Sequence, residues 1–372
     1  MIEQITSEVL KKIKPPEEEA KKVKQLAQKL ISKVEEEAKR VGVKAEAIVT
    51  GSIVRDTWLS GDKDLDIFIL LPEDLSRAEL EKTGLEIARK VAGKNWQEAY
   101  AEHPYLVADI ESYKVDLVPC YKISDPTKIK SAVDRTPFHL KYVKEKLTPK
   151  LADEVRLFKQ FLKGIGIYGS ELKTRGISGY LAELLIINYG SFFNLITGVA
   201  EWRPKVVIDL AKHYPDQKQA KALFENQALI VIDPVDPKRN VAAALSYENF
   251  SKLIFAAKSF IAKSSKKFFF PSEIKPFSKG RLIEELNKRR TEFIFLVFKP
   301  PNVVPDILWP QLYKSLKSIE KQLEKHKFIL HRKSVWSNEK DLAIMIFEFE
   351  RAKLPKVYKH LYLHQKMKWR IF

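Results

Sequence analysis

The stretch from Gly51 to Phe68, GSIVRDTWLSGDKDLDIF, decides the fold of this 372-residue chain. It begins with a Gly-Ser turn, continues as a short helical stretch and ends with Asp64 and Asp66 at the start of an apolar strand. Side chains at positions i and i+2 of a strand point to the same face of a sheet. The two carboxylates therefore share one face, while Leu65, Ile67 and Ile69 project to the opposite, buried face.

A third carboxylate, Asp116, lies in the strand-like run KVDLVPC, where Val115 and Leu117 would face inward when Asp116 faces out. Magnesium prefers carboxylates together with phosphate oxygens over a full cage of protein ligands. Two ions held in this way activate an attacking hydroxyl and steady a leaving oxygen, so in-line displacement at phosphorus becomes feasible. The pattern predicts a metal-dependent nucleotidyl-transfer site for a nucleoside triphosphate. The alternative is an acidic pair that is merely exposed to solvent at the end of a strand.

Two residues of the Gly-Ser turn are candidates for phosphate binding. Ser52 lies where the strand from Ala47 to Thr50 passes into a helix, so its hydroxyl and the nearby backbone N–H groups can contact phosphate oxygens. Arg55 follows one turn later and can add a charge-assisted fork to the same phosphates. The alternative is a helix N-cap with a solvated arginine.

The composition is that of a globular chain with two or three domains, because 45% of the residues are hydrophobic. The sequence lacks an apolar run of about 18 residues, which a membrane-spanning helix needs. The N-terminus MIEQITSEVLKKIK is charged and unlike a secretory signal. We therefore expect a cytoplasmic protein with no membrane partner. The single cysteine, Cys120, excludes an internal disulfide and a cysteine-based zinc cluster, and is predicted to be buried.

The net charge of +18 is unevenly distributed. Residues 1–140 carry 23 Lys and Arg against 25 Asp and Glu, whereas residues 251–372 carry 27 against 11. A basic C-terminal part joined to a near-neutral N-terminal part predicts a polyanionic partner, and nucleic acid is the leading candidate. A lysine-rich solvated surface of the kind found in hyperstable proteins is the alternative.

Periodicity predicts an α/β and α+β multidomain chain with three divisions. Residues 1–139 form a mixed α/β unit, with a long amphipathic helix from Pro16 to Gly42 that backs the sheet. Residues 140–270 are mostly helical, and residues 271–372 form a small α+β domain. The elements predicted in the last division are strands at Glu292–Val297, Phe328–Leu330 and Leu342–Phe349 and a helix at Trp309–His326.

Four polar residues of the middle of the chain are further candidates: His139, Lys159, Tyr168 and Arg239. Lys159 lies on a helix with an apolar face, so its ammonium can reach across a cleft to phosphates. Taken singly, each residue is better explained by a structural role. A histidine after Pro and Phe is usually hydrogen-bonded in a core, and a tyrosine between glycines often fills a turn.

Long blocks of the chain resemble the archaeal, class I CCA-adding enzymes, in the same order from about Val49 to Arg351. The blocks are GSIVRDTWLSGDKDLDIFILLP, AEHPYLVADIESYKVDLVPCY, IKSAVDRTPFH, GIYGSELKTRGISGYLAELLI and DPVDPKRNVAAALS. The resemblance implies a nucleotidyltransferase head of the polymerase β type with a mixed sheet, a helical neck, and an α+β body that binds RNA. It also implies a tail that grips the tRNA elbow.

The resemblance implies a tRNA nucleotidyltransferase that builds or repairs the 3′ CCA end from CTP and ATP with Mg²⁺, without a template, and releases pyrophosphate. Asp64, Asp66 and Asp116 take the metal-binding and catalytic positions, and the primer 3′ hydroxyl is activated near Asp116. The nucleotide-binding positions fall on Ser52, Arg55, His139, Lys159 and Tyr168, and on Arg239, which selects the incoming base. The partners are the acceptor end of tRNA, ATP and CTP; the oligomeric state stays open, with a homodimer as one option.

The sequence after Arg351, KVYKHLYLHQKMKWRIF, does not match the family's longer tail. We therefore expect the tail to be truncated or missing, and minihelices to be used better than whole tRNA.

Three other functions are alternatives to CCA addition. A poly(A)-polymerase-like or oligoadenylate-synthetase-like transferase has the same Gly-Ser turn and the same arrangement of carboxylates. A non-catalytic RNA-binding protein with an inactive transferase fold is disfavoured by three intact carboxylates. A small-molecule nucleotidyltransferase is disfavoured because it needs no basic C-terminal part.

Overall fold

The structure is a computed structural model that describes residues 2–100, 102–273, 275–289 and 291–350. The chain divides into two compact units. The first unit comprises Met1–Ser170 and Thr174–Pro271, and the second comprises Glu171–Lys173 and Ser272–Phe372. All nine candidate site residues lie in the first unit. The predicted boundary at 139/140 falls inside that unit and stays a prediction, and the expectation for the sequence after Arg351 concerns residues outside the described ones.

The first unit contains a five-stranded sheet and a set of helices. The strands of the sheet are β1 Glu46–Thr50, β2 Asp64–Leu71, β3 Trp96–Tyr100, β4 Pro104–Ile110 and β5 Tyr113–Tyr121. A separate parallel pair is formed by β6 Val206–Ile208 and β7 Leu229–Val231. The helices are α1 Ile2–Ile13, α2 Glu17–Val41, α3 Gly51–Val54, α4 Arg77–Ala92, α5 Thr136–Lys146, α6 Pro149–Gly164, α7 Gly179–Tyr189, α8 Phe192–Ala200, α9 Gln217–Leu223 and α10 Tyr247–Ala262.

The sheet is mixed, with strand order β1-β2-β5-β4-β3. The β2 and β5 strands run parallel, and their neighbours pair antiparallel. Helices α2 and α4 cover one face, where Leu30 of α2 and Ile87 of α4 share a buried cluster with Leu65 and Ile67. This arrangement confirms that the long helix backs the sheet. Helix α2 is terminated by Gly42, which follows its last residue and adopts the left-handed conformation, as predicted from the glycine stop.

The helical layer of the first unit has its own core. Helices α6, α7, α8 and α10 contribute to one large buried cluster, in which Phe161 contacts the rings of Phe192 and Phe260 edge to face. Helix α1 packs there as well, through Val9 and Ile13, and not on the sheet. No single helix of the described residues is long and apolar enough to cross a membrane. The bent pair α7 and α8, which meet at 92°, passes that test by length and composition alone.

The second unit contains the helices α11 Lys279–Lys288 and α12 Pro305–Lys325 and an antiparallel sheet in the order β8-β10-β9. Its strands are β8 Thr291–Phe298, β9 Leu330–Ser337 and β10 Ala343–Glu350. Leu308, Leu312 and Leu316 of α12 pack with Met345 and Phe347 of β10. The prediction of a strand at Phe328–Leu330 is wrong, because β9 begins only at Leu330 and continues through a polar run to Ser337. Helix α11 was not predicted.

Candidate active site

Two of the three predicted carboxylates lie side by side on neighbouring strands. In the parallel register of β2 and β5, Asp66 is the direct partner of Asp116, and Asp64 is the partner of Lys114. Leu65 and the two immediate neighbours of Asp116 in β5 are completely buried on the opposite face. The predicted alternation is therefore confirmed, and the carboxylates of β2 and β5 share one face of the sheet.

These carboxylates repel one another electrostatically. Burial, followed by the charges of Asp116 and Asp64, raises the pKa of Asp66 to about 6 against the opposing effect of Arg55. Burial and Asp64 also raise the pKa of Asp116, although Lys114 acts in the opposite direction. Burial and like charges both disfavour the ionised form of a carboxyl group, and here the nearby cations do not fully offset them. The face therefore has the electrostatic character of a cation site.

The donor set fits a magnesium ion that is shared with a ligand. The Oδ1 atom of Asp116 is buried and accepts no hydrogen bond, and the closest cation recorded for it is Lys114 Nζ at 3.9 Å. Among the residues that the structure describes, no three His, Cys, Asp or Glu side chains stand together as a preformed metal cage. Magnesium is commonly held by one or two carboxylates plus phosphate oxygens, so an open edge of this kind suits it.

Gly51 makes room for the Asp66 carboxylate. Its φ of +74° lies in the left-handed region, and a Cβ built on Gly51 would approach Asp66 Oδ2 to 2.1 Å. The residue before it, Thr50, is the register partner of Asp66 and has a buried hydroxyl without a hydrogen-bond partner. Only glycine therefore allows the chain to turn from β1 into α3 this close to the carboxylate.

Helix α3 carries the two predicted phosphate ligands. Ser52 lies in its first turn and is partly exposed, and its carbonyl accepts the N–H of Thr57 at 2.9 Å. Arg55 follows the helix, and its Nε lies 2.8 Å from Oε2 of Glu183 in α7, without the alignment of a hydrogen bond. Both side chains of this ion pair are buried. In this state Arg55 is therefore neutralised by a carboxylate of the helical layer.

Lys159 belongs to the same buried cluster. Its ammonium, 1% exposed, donates to the carbonyl and the hydroxyl of Thr57 at 3.0 Å and lies 3.7 Å from Glu183 Oε1. Burial lowers its pKa to about 8, against the attraction of Glu183. Lys159 reaches from α6 to the segment after α3. Its partners there are protein groups, so the predicted phosphate contact requires it to exchange them.

Tyr168 lies beside Lys159. A Cβ built on Gly179 would lie 3.2 Å from the Tyr168 hydroxyl and 3.6 Å from Lys159 Nζ, so both groups border the same point at the start of α7. Burial raises the pKa of Tyr168, which keeps its hydroxyl protonated as a hydrogen-bond donor. The backbone of Tyr168 is fixed by a bridge to Ile177.

His139 and Arg239 meet at Asp233, which sequence reasoning did not identify. His139 Nε2 lies 2.9 Å and Arg239 Nη1 lies 2.6 Å from the same oxygen, Oδ2, of this completely buried carboxylate. Tyr180 stacks on the His139 ring with centroids 4.2 Å apart. Burial would raise the pKa of Asp233, but hydrogen bonds from His139, the backbone N–H of Val235 and Arg239 bring it down to about 2. Burial lowers the pKa of His139.

Arg55 links the two groups of candidates. Its charge lowers the pKa of Asp66 on the sheet, and it also acts on Lys159, Tyr168 and His139 of the helical part. The first unit therefore brings an acidic edge and a set of cationic and hydroxyl groups to one region. Such a pairing of negative and positive groups fits a metal-bound triphosphate, whose charges complement both.

Proteins with similar sequences identify the family of this chain. The chain is 42% identical over 362 residues to the CCA-adding enzyme of Methanosarcina barkeri, covering 96% of this chain and 78% of the relative. The CCA-adding enzymes of Halobacterium salinarum and Methanocaldococcus jannaschii are each 40% identical, with 96% of this chain covered and 77% and 80% of the relatives. The chain belongs to the CCA-adding enzymes.

Family models divide this CCA-adding enzyme in the same order as the structure. Residues 28–139 match the nucleotidyltransferase domain, residues 153–270 the second domain of tRNA nucleotidyltransferases, and residues 289–362 the C-terminal domain of CCA-adding enzymes. The predicted fold class, a nucleotidyltransferase head with a mixed sheet followed by a helical domain and an α+β domain, is thereby confirmed. So is the resemblance found in the sequence.

Solved structures with little sequence similarity share the fold. A cytoplasmic RNA terminal U-transferase matches with a TM-score of 0.56 at 16% identity, over 74% of this chain and 100% of the other. The CdnC protein of E. coli MS115-1 with ATP matches with a TM-score of 0.54 at 17% identity, over 72% and 94% of the two chains. At these identities the likeness concerns the fold alone.

Three residues of the site were missed by sequence reasoning: Thr57, Glu183 and Asp233. A signal existed for Glu183, since it is the only charged residue of the apolar helix GYLAELLIINY. Such a residue is seldom buried without a charged partner. Asp233 had a weaker signal in the repeated Asp-Pro steps of DPVDPKRN.

Proposed function

We propose that this enzyme adds CCA to the 3′ end of tRNA from CTP and ATP, without a template, and releases pyrophosphate. The observation that carries the proposal is the direct pairing of Asp66 with Asp116 on one face of the sheet, where burial and neighbouring carboxylates raise the pKa of both groups. Membership of the CCA-adding enzymes supports the choice of tRNA and of the two nucleotides. We place the reaction in the cytoplasm.

Asp64, Asp66 and Asp116 would hold Mg²⁺ in this reaction. When bound, two such ions would lower the pKa of the attacking 3′ hydroxyl and neutralise charge on the leaving oxygen, as in-line displacement at the α-phosphate requires. The contribution of the chain is to keep three carboxylates on one face and to leave an oxygen of Asp116 without a hydrogen-bond partner. That oxygen is the acceptor beside which the 3′ hydroxyl would lie.

Ser52, Arg55, Lys159 and Tyr168 would bind the triphosphate. Two of them are cations that share one carboxylate, so the buried cluster around Glu183 carries one positive charge in excess when Lys159 is protonated. Phosphate oxygens would compensate that charge, and the Tyr168 hydroxyl would donate a further hydrogen bond. His139 would complete the nucleotide contacts from its stack on Tyr180.

Arg239 would select the base. A guanidinium only donates hydrogen bonds. Cytosine N3 and adenine N1 are unprotonated acceptors, whereas the corresponding ring nitrogens of uracil and guanine carry hydrogen. A donor directed at that position therefore accepts C and A and rejects U and G. The 38% exposed side chain of Arg239 leaves donors available for this contact.

The test is to incubate the protein with tRNA that ends at its discriminator base and with each nucleotide singly or both together. We expect two C residues from CTP, one A after them from ATP, and no transfer by Asp66→Ala with salt-dependent tRNA binding retained. Long A tracts would favour the poly(A)-polymerase-like alternative. Undiminished transfer by D66A would refute the assignment of the carboxylates, and tRNA binding without any transfer by the unmodified protein would favour a non-catalytic RNA-binding protein.

A further inference from the structure

Asp233 is a buried carboxylate that none of the roles above uses. It stands at the start of a loop from Asp233 to Arg239, is completely inaccessible and lies among groups that donate to it. Oδ2 accepts from His139 at 2.9 Å and from Arg239 at 2.6 Å. Oδ1 accepts the backbone N–H of Val235 at 3.0 Å, with the Tyr180 hydroxyl at 3.4 Å. A carboxylate bonded in this way remains an anion and holds its donors firmly.

The loop that carries Arg239 is closed by its own backbone. The N–H of Asp233 donates to the carbonyl of Arg239 at 3.0 Å, and the N–H of Arg239 donates to the carbonyl of Asp236 at 3.0 Å. The backbone of Arg239 is thus fixed independently of its side chain. Among the described residues, the guanidinium is oriented by one charge-assisted bond, from Nη1 to Asp233, and 38% of the side chain is exposed.

A guanidinium is planar, so fixing one N–H direction restricts the other donors to a plane. Those donors discriminate between bases only while their direction is fixed. A guanidinium that turns freely can donate instead to the carbonyl oxygens of uracil or guanine. Loss of the Asp233 contact would therefore weaken discrimination more than it weakens binding of the correct base.

We propose that Asp233 is a positioning residue that sets nucleotide selectivity by holding the Arg239 guanidinium in one orientation. The inference rests on the proposed role of Arg239 in base selection and extends it to a group that does not touch the nucleotide. It places an origin of selectivity in a buried side chain that contacts the base-selecting guanidinium.

The test compares Asp233→Asn with the unmodified enzyme on tRNA that ends at its discriminator base. The measured quantity is kcat/KM for CTP relative to UTP. We expect this ratio to fall about 10-fold to 100-fold in D233N, the range expected for loss of one well-directed contact to a base. An equal loss for both nucleotides, with the ratio unchanged, would overturn the proposal, because a merely structural role predicts that result.

Asp236→Asn is the matched control. Asp236 lies in the same loop and pairs with Arg135 Nε at 3.0 Å, but its side chain has no recorded contact with the guanidinium of Arg239. D236N should loosen the loop and keep the CTP to UTP ratio. If it lowers the ratio as much as D233N does, anchoring of the loop explains selectivity and the proposal fails.

A double variant tests whether Asp233 acts through Arg239. In an Arg239→Lys background, which keeps a cation but not the planar fork, D233N should change the ratio little further. Full additivity would overturn the proposal. Should D233N fail to fold, Asp233→Glu replaces it, with the same expected fall and the same refuting result. An unmodified enzyme that uses all four nucleotides equally would instead contradict the proposed function itself.

Discussion

Substitution of Gly51 by alanine tests the carboxylate site without replacing any of the carboxylates. The added Cβ would lie 2.1 Å from Asp66 Oδ2, whereas ordinary contacts begin at 3.4 Å, so the carboxylate oxygen must move by more than 1 Å. A displacement of about 1 Å at a reacting centre can lower the rate about 100-fold. The left-handed backbone, with φ +74°, adds a loss of about 1–2 kcal/mol in the free energy of unfolding.

Gly42→Ala is the control for backbone strain. Gly42 follows α2 in the left-handed conformation, with φ +79° nearly the same as that of Gly51, but nothing lies within 4 Å of a Cβ built there. We therefore expect both variants to lose about 1–2 kcal/mol of stability in urea unfolding. Only G51A should also lose about 100-fold in kcat for addition of C to tRNA, at the Mg²⁺ concentration that just saturates the unmodified enzyme.

Two results would refute this reasoning. If G51A turns over at the unmodified rate, the position of the Asp66 carboxylate next to Gly51 does not matter for transfer. If G42A loses as much activity as G51A, the loss reflects general strain and not the displaced oxygen. Partial recovery of G51A at higher Mg²⁺ would support displacement of a metal ligand, since weakened metal binding is offset by concentration.

Three further predictions concern titrating groups. Because the pKa of Asp66 is raised from 3.8 to about 6, its neutral form stabilises the fold at low pH and that contribution is lost as pH rises through 6. In EDTA at pH 8, the free energy of unfolding of Asp66→Asn should therefore exceed that of the unmodified protein by up to about 3 kcal/mol, and the difference should vanish below about pH 4. A less stable D66N would contradict this prediction. Glu183 favours the protonated form of Lys159, whose pKa is about 8, so the KM for CTP should rise above pH 8. Glu183→Gln removes that stabilisation and should move the rise in KM to lower pH. An unchanged pH dependence of KM would exclude the coupling. Cys120 is completely buried with a raised pKa, so an aromatic disulfide reagent should label it only after denaturation, and fast labelling of the native protein would contradict the fold around it.

The carboxylate edge was predictable because strand periodicity is local. Asp64, Asp66 and Asp116 each lie within an alternating run, and alternation alone assigns them to the face opposite the buried residues. The parallel pairing that brings Asp66 opposite Asp116 joins residues 50 positions apart. No pattern within either strand specifies that register.

The missed partners depend on longer separations. Thr57 hydrogen-bonds to Glu183 across 126 positions, and Asp233 contacts His139 across 94. Both acids occur where local sequence is ambiguous, one within an apolar helix and the other in a loop of Asp-Pro steps. Only packing of the helical layer determines which side chain each carboxylate meets.

The errors in the second unit have a different cause. Strand β9 reads as polar because its residues Leu330–Ser337 are mostly exposed at the edge of a sheet. Helix α11 has no buried residue, and its apolar Leu282 and Ile283 are exposed. Without a buried face, β9 lacks the alternation on which a sequence-based prediction of a strand relies. Helix α11 is 10 residues long, which is short for recognising helical periodicity.

The opposite pKa shifts of the site have one physical meaning. Asp66 is an acid whose pKa is raised, and Lys159 is a base whose pKa is lowered, so each is held where its charged form is poorly solvated. Arg55 lies near both, yet its close partner is Glu183. A fold selected for stability alone would avoid these charges or pair them fully. A metal-bound triphosphate supplies cations to the acidic edge and anions to the basic cluster, so the cost of keeping both sets of charges is offset when substrate binds.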